Sequence, residues 1–125
     1  MVFMLFMSLL LVHFTLTGVP HYDWRQYMKL TQAEVDAKLA GRAGWTVKGD
    51  GLVRTYTFES FPDAIAFVTR LAFDAQAADH HPDLAVSYRK VTVTWSTHSE
   101  GGITDKDFEG TRQADAVASR LGFKA

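Results

Sequence analysis

Residues 79–107 read DHHPDLAVSYRKVTVTWSTHSEGGITDKD. Pro82 has no amide hydrogen and biases His81 towards extended backbone, so a helix arriving from the N-terminal side ends at or just before the histidine pair. Beyond it, LAVSYRKVTVTWSTH (84–98) splits into two strands around Arg89-Lys90. Val91, Val93 and Trp95 alternate with Thr92, Thr94 and Ser96, the period of a half-buried strand. By that parity His98 leaves the strand with the polar set, away from Val91 and Val93. SEGG then breaks the strand. Thr104 caps a last helix, with Asp107 at its third position and Phe108, Ala114, Val117, Ala118 and Leu121 as its apolar face.

The flanking sequence supplies the other elements. TQAE (31–34) is a capping box, with Val35 and Leu39 one turn apart behind it and Gly41 as a stop. GWTVKGDGLVRTYTF (44–58) reads as a β-hairpin turning at KGDG. In SFPDAIAFVTRLAFDAQAADHH (60–81), Ser60 is the N-cap and Pro62 and Asp63 suit the first turn. Ala64, Ile65, Val68, Leu71, Ala72 and Ala75 make an apolar stripe there. The order helix, strand, strand, helix, strand, strand, helix predicts an α+β domain: a four-stranded antiparallel sheet with three helices on one face. VRTYTF (53–58) is regular and lacks Pro, which suits an edge strand for subunit pairing or an ordinary internal strand.

The chain has 125 residues, 47% of them hydrophobic and 22% charged, enough for a single core and too short for two ordinary domains. It has no cysteine, so neither disulfides nor thiolate metal sites are available. The formal net charge is -1 and no basic block stands out, which argues against direct nucleic-acid binding. MVFMLFMSLLLVHFTLTGVPHY (1–22) carries no Asp, Glu, Lys or Arg, and Asp23 is the first formal charge. It lacks the basic start and small-residue cleavage site of a secretory signal, and its apolar part ends near Gly18, marginal for a span. An uncleaved membrane anchor, an atypical export signal and a mis-assigned start compete. The preferred reading takes Met28 as the start, because a helix-start signal follows it directly. On that reading residues 1–27 are an extension and linker, 28–125 the domain, and the location cytoplasmic.

Three of the five histidines lie in the opening stretch. In an antiparallel pair the start of one strand lies beside the end of the next, so the hairpin returns His98 towards His80 and His81. Imidazoles there suit general acid–base work, and Asp107 is close enough in sequence to orient one or to hold a polar ligand. Plainer roles also fit: His81 as part of a helix exit, Asp107 as a cap. Zinc fits poorly, because adjacent side chains on an extended chain diverge and no helical H-x-x-x-H pair is present.

His80-His81-Pro82, Tyr88, His98 and Asp107 together resemble the motif of the pterin-4a-carbinolamine dehydratase family. LTQAEVDAKLAGRAGW (30–45), FPDAIAFVTRLA (61–72) and GGITDKD (101–107) are similar to that family as well, from about Met28 to the C-terminus. The resemblance implies loss of water from a 4a-hydroxytetrahydropterin to give a quinonoid dihydropterin, in recycling of tetrahydrobiopterin. It implies no metal or organic cofactor, and a homodimer or homotetramer. His80 and His98 become candidates for acid–base work, His81 for holding the pterin, Asp107 for support and Tyr88 or Trp95 for ring contact. Gln76 departs from the pattern, which usually has an ionisable residue four positions before the first His. Some relatives act instead as dimerisation or assembly modules, the competing function.

Overall fold

The computed structural model describes residues 22–124; the apolar stretch 1–18 and its readings as anchor, signal or surplus lie outside the described residues. Three helices and four strands follow in the expected order: α1 (Gln32–Leu39), β1 (Thr46–Lys48), β2 (Gly51–Thr57), α2 (Phe61–Ala77), β3 (Asp83–Ser87), β4 (Lys90–Trp95) and α3 (Asp105–Arg120). The capping boxes at Thr31–Glu34 and Thr104–Asp107 both form, and Ser60 accepts from the Asp63 amide. Each satisfies first-turn N–H groups that the helix leaves unpaired. Among the described residues no helix is long and apolar enough to cross a membrane.

The strands form one antiparallel sheet in the order β1-β2-β4-β3. β2 is inside this order, but β1 pairs only with Gly51–Val53, so beyond Val53 VRTYTF is paired with β4 alone among the described strands, apart from a bridge between Thr57 and Lys124. Leu52 pairs with Trp95 and Tyr56 with Val91. These side chains and Val93 are fully buried, whereas Thr92 and Thr94 on the other face are not. The core is completed by Val35 of α1, by Ala64, Phe67, Leu71 and Ala75 of α2, and by Phe108, Ala114, Val117 and Ala118 of α3. Burying each large apolar side chain contributes roughly 1.5–3 kcal/mol.

Two details of the α2 stripe differ from the expectation. Phe67 is wholly buried, while Ile65 is 39% exposed and Ala72 lies on the surface. The buried positions 64, 67, 71 and 75 form a narrow seam one side chain wide, so the outer edges of the predicted stripe fall outside it. His98 also departs from its expected place. β4 ends at Trp95, and His98 begins a 3-10 turn, His98–Glu100, so strand parity does not govern it. Gly101 closes that turn at φ +66, backbone that L side chains rarely adopt, and Thr97 then bridges to Gly102. Ahead of α1, a 3-10 turn over Trp24–Tyr27 packs on α3, with the Lys106 ammonium 5.0 Å from the Tyr27 ring centroid.

Candidate functional site

α2 leaves its last turn through a Schellman closure. The His80 amide bonds the Ala75 carbonyl (3.1 Å), the Asp79 amide bonds that of Gln76 (3.2 Å), and Asp79 adopts φ +48. Aspartate tolerates this left-handed geometry better than most residues. The closure makes His80 the first residue free of the helix. Asp83 pairs with Thr94 in the β3–β4 register, and three residues further out on each chain lie His80 and Thr97. Both meet Asp107 of α3.

Asp107 is fully buried. Its Oδ1 lies 2.6 Å from His80 Nε2, and its Oδ2 accepts from the Thr97 hydroxyl (2.8 Å) and the Thr104 amide (2.9 Å). The proton order is then determined. The Lys106 amide donates to Thr104 Oγ1, leaving the Thr104 hydroxyl to donate to Thr97 Oγ1 at 2.8 Å, and Thr97 to donate to Asp107. With its other oxygen taken by two donors, Asp107 acts as an acceptor and His80 holds its proton on Nε2. His80 Nδ1 has no hydrogen-bond partner among the described residues and carries the lone pair. An imidazole held in this way can take a proton at Nδ1 and return it, with the carboxylate stabilising the charged form.

The His80 ring stacks on Trp95, with centroids 5.4 Å apart and planes at 22°. Both line a cleft of about 420 Å³ whose other walls are Gln26, Ala78, Asp105, Lys106, Glu109, Gly110 and Gln113. Its size is in the range of small-molecule sites. Gly110 lets α3 settle on the indole: a Cβ there would lie 2.4 Å from the Trp95 ring. The Trp95 N–H is buried and unpaired among the described residues. Arg112 holds the Glu109 carboxyl below the usual carboxylate range, chiefly through its hydrogen bonds.

The remaining predicted residues are placed unequally. Gln76 Oε1 is 2.9 Å from Nε2 of His81, so Gln76 supports the second histidine and Asp107 the first. His81 and His98 are exposed. Neither lines the cleft that His80 lines, and Tyr88 stands at the tip of the β3–β4 hairpin, 70% exposed, at the far end from His80. Among the described residues no group of three or more His, Asp or Glu side chains is placed to hold a metal ion. Sequence reading missed Thr97, Gln26, Lys106, Gly110 and Gln113. For Thr97 the only signal was its place beside His98; for Gly110, a glycine inside an amphipathic helix.

Comparison with known proteins gives the family. A relative from Mycobacteroides abscessus is 48% identical over 93 residues, covering 74% of this chain and 96% of its own length. One from Roseiflexus sp. is 45% identical over 89 residues, covering 71% and 96%. Both carry a provisional pterin-4-alpha-carbinolamine dehydratase name. The crystal structure of a transcriptional coactivator/pterin dehydratase from Brucella melitensis superposes with a TM-score of 0.69 at 36% identity, over 72% of this chain and 98% of that one. The family model for Pterin 4 alpha carbinolamine dehydratase matches residues 28–117, and the chain belongs to that family.

Proposed function

We propose that this chain dehydrates a 4a-hydroxytetrahydropterin, with 4a-hydroxytetrahydrobiopterin as the substrate that fits recycling of a tetrahydrobiopterin cofactor in the cytoplasm. One proton goes onto the C4a hydroxyl, which departs as water. Another leaves the adjacent ring nitrogen, whose electrons form the new double bond of the quinonoid dihydropterin. No electron is gained or lost overall. The observation that carries the reading is the His80–Asp107 pair: a histidine with Nε2–H fixed, Nδ1 unpartnered, and its ring lining a cleft floored by Trp95. Hydroxide is a poor leaving group, and a group that titrates near neutral pH can both donate and accept at little cost. His98 and His81 are the candidates for the second proton transfer and for holding the pterin. Asp107 acts through His80 as a positioning residue.

Self-association as a homodimer or homotetramer belongs to the same reading. It is supported by Phe61, Ile65 and Phe73, all exposed on α2, and sedimentation of the full chain reads it directly. The enzymatic test uses the full chain with chemically generated 4a-hydroxytetrahydropterin, the spontaneous rate subtracted, beside His80→Ala checked for folding. Acceleration by the wild type that falls at least about a hundredfold in the variant is the expected result, within the range of acid–base contributions. A folded wild type without acceleration returns the chain to the reading of a dimerisation or assembly module.

A further inference from the structure

The cleft is not built from the family-matched residues 28–117 alone. Gln26, two residues ahead of them, forms part of its wall. The turn that carries it is held on several sides. Asp23 Oδ1 accepts from the Arg25 amide (3.0 Å), and the Met28 amide returns to the Arg25 carbonyl (3.0 Å). Tyr27 lies under the Lys106 ammonium and stacks with Tyr22 at 5.7 Å. Just beyond, the Leu30 amide bonds the Ile103 carbonyl at 2.8 Å, tying the segment to the approach to α3.

The polar groups of the rim differ in what they are free to do. Asp105 is paired with Lys38 at 3.0 Å, Glu109 with Arg112 at 2.5 Å, and Lys106 rests on Tyr27. The side-chain amides of Gln26 and Gln113 have no hydrogen-bond partner among the described residues. Each offers a donor and an acceptor side by side. That pattern complements the edge of a fused pyrimidinone, where N–H and C=O groups stand next to each other.

We propose that Gln26 is a substrate-binding residue, and that the turn Trp24–Tyr27 completes a cleft for the pyrimidinone edge of a pterin-type ligand. The proposal rests on the dehydratase reading and adds to it a residue from outside the matched domain. The test is Gln26→Met in the full chain, which keeps the length and flexibility of the side chain and removes both hydrogen-bonding groups. Binding of 7,8-dihydrobiopterin, which has no 4a-hydroxyl to lose, is followed by fluorescence titration. KM and kcat are measured with the carbinolamine, and thermal melting confirms folding. The expected result is a rise of about five- to tenfold in Kd and KM, the size of one hydrogen bond, with kcat within about twofold. A wild type that binds and turns over while Gln26→Met matches it in both constants overturns this inference and leaves the dehydratase reading standing. A wild type that neither binds the dihydropterin nor accelerates the reaction overturns both.

Discussion

At the scale of single residues, two histidines adjacent in sequence have different acceptors. His80 faces a fully buried carboxylate that takes two further donors, and His81 faces an exposed amide. The departure at Gln76 therefore bears on His81, and the first histidine keeps an ionic partner. Gln76→Glu adds a negative charge beside His81 Nε2 and favours the imidazolium there. The change is felt at the exposed His81 ring, where solvent screens it, and leaves the His80–Asp107 pair as it is. Two-dimensional NMR titration of the ring protons checks this, and a shift confined to His80 would refute the assignment of partners.

At the scale of elements, α3 does three things at once. Its first turn supplies Asp107, its middle presses Gly110 onto Trp95, and Asp115 accepts from Trp45, Arg54 and Tyr56. Gly110→Ala sets two effects against each other. Alanine gains roughly 0.5–1 kcal/mol in helix propensity. Its methyl group, however, would meet an indole that is fully buried and has nowhere to move, and overpacking costs about 1–3 kcal/mol. The clash wins, so the variant melts lower, by about 4–8 °C for each kcal/mol of net loss. Displacing Trp95 also disturbs the stacked His80, and activity falls with stability.

For the whole molecule, the Asp115 cluster ties together parts distant in sequence. The Arg54 guanidinium, 2.8 Å from Asp115, also lies over Tyr56 and Phe123, at 4.7 and 5.1 Å. Tyr56 is buried and donates to Asp115, and burial first, then this carboxylate, raise its pKa far above the ordinary 10.0. A folded pKa above the unfolded one gives stability that is complete below about pH 10 and is lost progressively as pH rises past it, because only the unfolded chain ionises readily there. Tyr56→Phe is less stable than wild type at neutral pH by about 1–3 kcal/mol, having lost a hydrogen bond to a charged acceptor. The gap narrows in alkali, where the wild type loses this contribution and the variant has none to lose. Urea melts at about pH 8 and about pH 10.5 compare the two, and a gap constant with pH would exclude Tyr56 as the source.

Local rules were enough to determine the helix starts, the two hairpins and the α+β order, while the pattern at His80, His81, His98 and Asp107 was legible as a resemblance. Caps, turn residues and hydrophobic period act over a few residues and leave their mark in the order of the chain. Which strand lies inside the sheet was not written there, because β2 pairs with β4 across the whole of α2 and either strand face could have served an edge. Nor was the division of partners between His80 and His81, which depends on α3 arriving from the far end of the chain with Asp107 already bonded to Thr97 and Thr104. Tyr88 satisfied the spacing of the motif, yet the hairpin carries it away from the site, since distance along a strand becomes distance in space. Gln26 had no motif to mark it. Only the docking of its turn on α3 brings its amide to the cleft, a contact between segments some eighty residues apart that no local preference encodes.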